Sequence, residues 1–544
     1  MHKSRIFAAA LLAVAFINAT AQGVPHIANI INFVRKTEPR FETITDEILY
    51  QTTENQKNNL VANRLHGTFL LQYDALIDPQ YQKLMKSLPS DFEVGAWWEI
   101  TQPHVEAAGI EWRGRYPWDW HANVGFSTGY TPQEREKLVD TYMQKFKEIF
   151  GKYPASVGSW FIDAHTLKYF VDKYHITASC NCRDQIGTDG YTLWGGYWHG
   201  AYYPSVNNAY IPAQGKSSQI NVPVFRMLGS DPLYQYECGV GGVMQGVSTL
   251  EPTCKAGASA DWVDWYLKTV TEDPAMGYTY FQAGQENSFT WAAFSKGFEM
   301  QMAKIAELQR KGIIRVETLE ESGRNFANKY KTTPATAVSA MSDYTPRNAK
   351  TLWFNSRYYR ANLFWENNKF RFRDIQMFNE DNKSLYLTTP GTSTECHYFA
   401  LPLVDGCLWS VTSNMAGLRL YEQLTPGKFI EASVTGQEVS TKGKNTIVEI
   451  TTHSGNEYTI TLSEKAIGIV SKQGSPYCLQ LTIAPEAKLP FTTIGGNTVK
   501  ASHNGFAYSA ILKIGEFTDL RNEKGKVFKI TPRKGRIVLH LAQK

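Results

Sequence analysis

Thr131-Pro132-Gln133-Glu134-Arg135-Glu136-Lys137-Leu138-Val139-Asp140-Thr141-Tyr142-Met143-Gln144-Lys145-Phe146-Lys147-Glu148-Ile149-Phe150-Gly151 is the clearest helix in the sequence. Thr131 reads as an N-cap, Pro132 as the first helical residue and Glu134 as its capping-box partner. Leu138, Val139, Tyr142, Met143, Phe146, Ile149 and Phe150 keep helical spacing until Gly151 and Pro154 end it. On either side lie the apolar runs Glu93 to Ile100 and Ser156 to Ile162, which read as buried strands. A strand, a long helix and a second strand buried on both faces predict a parallel pair with a right-handed crossover.

The same alternation extends outward from this unit. His26 to Arg35, Gly67 to Tyr73, Ile176 to Cys180, Val222 to Leu228 and Gly277 to Phe281 read as further buried strands. Ala164 to Tyr174, Ser259 to Thr271 and Ala292 to Lys311 carry helical patterns. Such repetition predicts an α/β fold, a (β/α)7-8 barrel over residues 22–335. An open doubly wound sheet is the alternative, disfavoured because no glycine-rich turn follows the first strand. Residues 336–347 read as a small polar linker. From 348 to 544 period-two runs dominate, among them Thr351 to Asn355, Lys369 to Arg373, Ser384 to Thr388, Tyr458 to Leu462 and Ala507 to Ile514. They predict an all-β antiparallel sandwich domain.

Met1 to Ala21 has a basic start at Lys3 and Arg5, an apolar run from Ile6 to Ile17 and the small-residue exit Ala19-Thr20-Ala21. That is the layout of a cleaved secretory signal, so a periplasmic or secreted location is expected. The apolar run is shorter than the roughly 20 residues that span a bilayer, and no integral membrane segment is expected in the mature chain. A formal charge of +5 over 544 residues excludes the dense basic footprint of a dedicated nucleic-acid binder. Seven cysteines fit export, with Cys238–Cys254 and Cys396–Cys407 as plausible bridges.

In a parallel barrel the loops after the strands meet at one face, which carries the site. Acids stand just past five expected strands: Asp74, Glu99, Asp163, Asp231 and Glu286. Each singly also reads as a helix cap or an ion-pair partner, Asp163 above all. Aromatics crowd the same loops, eight of the 14 tryptophans falling between Trp97 and Trp198. Trp97, Trp98, Trp120, Trp160 and Trp194, with His121, Asp231 and Arg35, are candidate substrate-binding residues, since flat rings beside carboxylates suit the C–H faces and hydroxyls of a sugar. The alternative is that the rings merely cover the barrel end. Trp353 to Arg360 is unusually dense in Arg and aromatic groups and reads first as packing against the barrel.

Gly67-Thr68-Phe69-Leu70-Leu71, Glu93-Val94-Gly95-Ala96-Trp97, the helix ending Phe150-Gly151-Lys152-Tyr153-Pro154 and the strand to Trp160-Phe161-Ile162-Asp163 resemble successive blocks of polysaccharide-deacetylase-type barrels, a fold shared with some glycoside hydrolases. The whole chain resembles a family of secreted bacterial proteins that joins such a barrel to a β-sandwich and has no established activity. The likeness implies a metal held by an aspartate after the first strand and two histidines after the third. Here Asn29, Asn32 and Arg35 stand after the first, and Trp97 and Thr101 near the third. The usual triad is missing, and His104, Asp119 and His121 are the residues from which another metal site could be built. No cofactor is expected.

A carboxylate pair is the simpler machine for a carbohydrate substrate. Related barrel hydrolases place acids after the fourth and seventh strands, which implies Asp163 as nucleophile or base and Glu286 as proton donor, with Glu99 and Asp74 next in line. The expectation is a glycoside hydrolase. A deacetylase with a non-standard metal site and a non-catalytic glycan-binding protein are the competing readings.

Overall fold

The computed structural model describes residues 23–241 and 244–542. The expected leader lies outside the described residues. The capped helix forms over Pro132–Phe150 with the Thr131/Glu134 capping box and Gly151 in the left-handed conformation that closes it. It joins strand β3 (Glu93–Trp97) to β4 (Ser156–Gly158), which pair in parallel.

Strands β1 (His26–Val34), β2 (Thr68–Leu71), β3, β4 and β5 (Ala178–Asn181) lie side by side in sequence order, all parallel. Val224–Arg226 continues the sheet beyond β5, and Thr279–Ala283 pairs with the outer side of β1. Arg315–Glu317 joins β1 in its first half. The sheet curls, but no ladder connects Val224–Arg226 with Thr279–Ala283 among the described residues. The closed barrel expected from the sequence is therefore an open one. Its sixth strand lasts three residues before Leu228 and Gly229, at φ 75° and 50°, turn the backbone out of the ladder. Across the seam the Leu228 N–H donates to Gln282 Oε1 at 2.7 Å.

Alternation along the strands sorts the side chains into two cores. Ile27, Ile31, Phe33, Leu70, Trp97, Cys180 and Phe225 fill the inside of the curl. Ala28, Ile30, Val34, Phe69, Leu71, Ala96 and Trp98 face the helices outside it.

The second half forms two antiparallel sheets over one apolar core. The stretch expected to be a linker begins as a buried strand, Thr336–Ala340, which pairs with Lys350–Asn355 on one side and with Ala275–Met276 of the first half on the other. Ser384 to Thr388, expected as a strand, instead forms a turn, with the Ser384 N–H bound to Asn207 O and Tyr386 O accepting from Arg135. Strand Cys396–Phe399 then pairs in parallel with Tyr191–Trp194 of the first half. The two halves are thus interleaved. All seven cysteines are free thiols, so neither expected bridge forms; Cys396 sits within that strand, and the Cys254 thiol donates to Thr249 O and Glu251 O.

Candidate active site

Parallel strands deliver the residues that follow them to one rim. Arg35 comes directly after β1, Gln72 directly after β2, Glu99 two residues past β3 and Trp160 two past β4. Glu286 stands three residues past Thr279–Ala283, beyond Gly284 at φ 103°, whose Cβ would fall 2.1 Å from Ile31 O. Only glycine fits that close approach.

Arg35 is the centre. Its guanidinium is fully buried and lies 4.2 Å over the Trp118 ring. Nε and Nη2 donate to the two oxygens of Glu99 at 3.0 and 2.7 Å, and Nη1 lies 2.6 Å from Glu286 Oε2 and 3.2 Å from Ser288 Oγ. Glu99 also accepts from Trp160 Nε1 at 2.7 Å and from Gln72 Nε2. Four N–H donors therefore fix this carboxylate. Arg40 grips Glu38 through two hydrogen bonds and reaches Asp189 at 3.0 Å, closing the rim. Beneath it Trp97 stacks on Phe33 at 4.1 Å and meets Trp160 edge-on at 5.2 Å.

Two acids, Glu286 and Asp74, titrate well above the ordinary carboxylate range. Burial pushes the Glu286 carboxyl up to about 7; Arg35 and Arg40 pull against it, and Glu99 and Asp189 add to it. Asp74 is also raised to about 7 by burial, opposed by its hydrogen bond from the Ala75 N–H and by Lys36, with Glu99 adding to the rise. Both carboxyls are thus partly protonated near neutrality, as a proton donor requires.

Of the residues singled out in the sequence, Arg35, Glu99, Glu286, Trp97 and Trp160 are brought together, while Asp74 lies buried on the short helix Tyr73–Ile77 and accepts from the Ala75 N–H. Trp120 lies at the edge, stacked on Tyr116 and facing Arg115 and Arg40. His121 is half-buried beside Asp119. The others are placed elsewhere. Asp163 caps Ala164–Tyr174 through the Thr166 N–H and hydroxyl, and also accepts from Ser127 Oγ and from Arg135 at 2.9 Å. It shares no partner with Glu286. Trp98 points outward into the helix layer against His104 and Phe170, as strand alternation dictates for the neighbour of an inward Trp97. Trp194 donates to Asp405 and stacks on Tyr236 at the seam between the halves. Asp231 ties down its own loop, accepting from Leu233 and Tyr234 N–H, Trp262 and Tyr344.

His104, Asp119 and His121 do not converge. His104 is buried against Tyr73, hydrogen-bonded to Leu138 O and pushed down to about 4 by burial, while Asp119 is engaged by Arg115 at 2.8 Å. No group of three His, Cys, Asp or Glu side chains is arranged to hold a metal ion among the described residues. The site residues that sequence reading missed are Gln72, Glu38, Arg40, Trp118, Asp189 and Ser288. Gln72 stands at a strand end like the acids, and its position there is the signal that marks it.

The chain is similar to several solved structures. One is a Parabacteroides distasonis protein described provisionally as a glycoside hydrolase/deacetylase, with a TM-score of 0.51 and 16% identity over 70% of this chain and 90% of that one. Another is a Mycobacterium smegmatis protein described provisionally as a polysaccharide deacetylase, at a TM-score of 0.35 and 12% identity over 57% of this chain and 92% of that one. At 16% identity the first likeness is one of fold, and function has to be argued from the site. No family model and no curated protein matches the chain.

Proposed function

We propose that the protein is an exported carbohydrate-active hydrolase whose site is centred on Arg35. Glu286 is the proton donor to the leaving oxygen, and Glu99 is the fixed carboxylate that offsets positive charge developing on the sugar ring. Asp163, expected from the sequence as the second acid, has its oxygens committed to the helix cap and to Arg135. Trp120, half-buried at the edge of the site, supplies a ring face for a sugar. The observation that carries this reading is Glu286 itself: a carboxyl buried at the strand-end rim, held near half-protonation at neutral pH, with one oxygen free of hydrogen bonds. Export rests on the leader-like residues 1–21.

The test is turnover of a polysaccharide and oligosaccharide panel by the wild type, Glu286→Gln and Glu99→Gln. Loss of the proton donor should lower kcat by roughly 10²–10⁴-fold. Wild-type turnover in Glu286→Gln would remove it from the mechanism.

A second reading, glycan binding without chemistry, is favoured by one observation: Glu99 is saturated by four donors and so is a poor nucleophile. Binding of a panel sugar with no product formed at any pH would select it.

A further inference from the structure

The hairpin of Tyr359–Glu366 and Lys369–Met377 ends at Asn367 and Asn368, and its turn is tied to the neighbouring strand Val434–Lys442 by the Val434 N–H donating to Asn368 O at 2.7 Å. At this turn opens a hollow of about 380 Å³, lined by Arg347, Lys350, Trp365, Lys369, Gln437 and the asparagines. Lys350, Trp365 and Phe370 form one cross-strand row. Trp365 is 4% exposed, and its Nε1–H has no acceptor among the described residues. A buried N–H left unpaired is costly, which points to an acceptor supplied from outside the chain.

Charge points the same way. Three cations line the hollow against one acid, Glu366, which is taken up by Arg347 at 2.6 Å. Lys369 has only Glu431 at 3.9 Å, and Lys350 has no ion pair among the described residues. A second hollow of about 580 Å³ shares Arg347 and Glu366 and runs on to Tyr234, Glu237 and Arg371. Arg347 lies 4.8 Å over the Tyr234 ring at the junction. The two hollows meet at the Arg347–Glu366 pair, and the groove at the Asn367-Asn368 turn is the one that holds Lys350, Lys369 and Trp365.

We propose that this groove is a second glycan site, which takes an anionic oligosaccharide. Carboxylate or sulfate groups of the sugar lie on Lys350 and Lys369, and a sugar oxygen accepts the Trp365 N–H. The choice of a sugar as carrier of those groups rests on the carbohydrate reading above; the cationic hollow does not.

Calorimetric titration of the full chain tests this with a heparin-derived oligosaccharide, an oligogalacturonate, a neutral dextran oligosaccharide and an oligothymidylate of matched charge. One of the two anionic sugars should bind saturably, at least about tenfold more tightly than dextran or oligothymidylate. Which one binds separates sulfate from carboxylate. Glu286→Gln should bind it as the wild type does, so a failed hydrolase reading leaves the groove standing. Lys350→Ala/Lys369→Ala should weaken binding by about tenfold or more, and Trp365→Phe, which keeps a ring and deletes the N–H, by several-fold. Absence of saturable binding by both anionic sugars, equal binding of oligothymidylate, or an affinity unchanged in either variant overturns the proposal. Should hydrolysis persist while both sugars fail to bind, the groove alone falls.

Discussion

Nη1 of Arg35 lies 2.6 Å from Oε2 of Glu286, yet that oxygen accepts no hydrogen bond among the described residues. The two groups are close but misaligned, because the other edge of the guanidinium is locked on Glu99 by two donors at 3.0 and 2.7 Å. Charge attraction without a directed hydrogen bond does not offset the desolvation of Glu286, and its carboxyl stays high. One guanidinium thus serves two acids in different ways: it fixes Glu99 and leaves Glu286 able to keep a proton.

The pH profile follows from that difference. A donor raised to about 7 holds its proton below that pH and loses it above, so kcat/KM should fall about tenfold per unit on the basic side of 7. Stability carries the same sign. A carboxyl whose folded-state value is raised contributes stability that is present below its unfolded value, near 4.5, and lost as pH rises through about 7. Asp74 acts in the same direction. Urea unfolding at pH 5 and pH 8 should therefore show a drop that Glu286→Gln makes smaller.

Asp163→Asn should keep the helix cap, since an amide oxygen still accepts from the Thr166 N–H, but it leaves Arg135 buried without its charge partner. The expected loss is about 3–5 kcal/mol in urea unfolding, with turnover per folded molecule unchanged. A large fall in turnover at wild-type stability would return Asp163 to the chemistry.

At the seam between the halves, Arg360 is fully buried and bridges Asp184 and Asp374 at 2.6 Å each, beside the Trp198–Trp353 stack at 3.7 Å. Arg360→Met leaves Asp374 buried without a cation, whereas Asp184 keeps Arg226 at 2.9 Å, and should cost about 3–5 kcal/mol at pH 8. Burial already raises Asp374 to about 6, so the acid takes up a proton as pH falls and the deficit should shrink at pH 5. Chemical unfolding at the two pH values measures it. A deficit equal at both would show that Asp374 keeps its charge.

Much of the fold was legible because local signals agree with the global arrangement. The Thr131 capping box, the apolar stripe and Gly151 define their helix without help from the rest of the chain, and each of the seven buried runs formed a strand. The failures have tertiary causes. Ser384 to Thr388 has strand composition, but its backbone groups are taken by Asn207 and Arg135 from the other half. Trp97 and Trp98 are neighbours of like chemistry, and only the direction of the pleat sends one inward and the other into the helices.

Apolar runs of strand length alternating with amphipathic helices, and acids at strand ends, are readable from residue order alone, because both are properties of short segments and their periodicity. Residue order did not determine which acids share an environment. Asp163 and Glu286 occupy equivalent places in their loops, yet one is spent on a helix cap and a buried arginine while the other meets Arg35. That choice depends on Arg35, Glu99 and Trp160 arriving from strands that are distant in the chain, and burial, charge and hydrogen bonding act on a carboxyl only once those neighbours have been assembled.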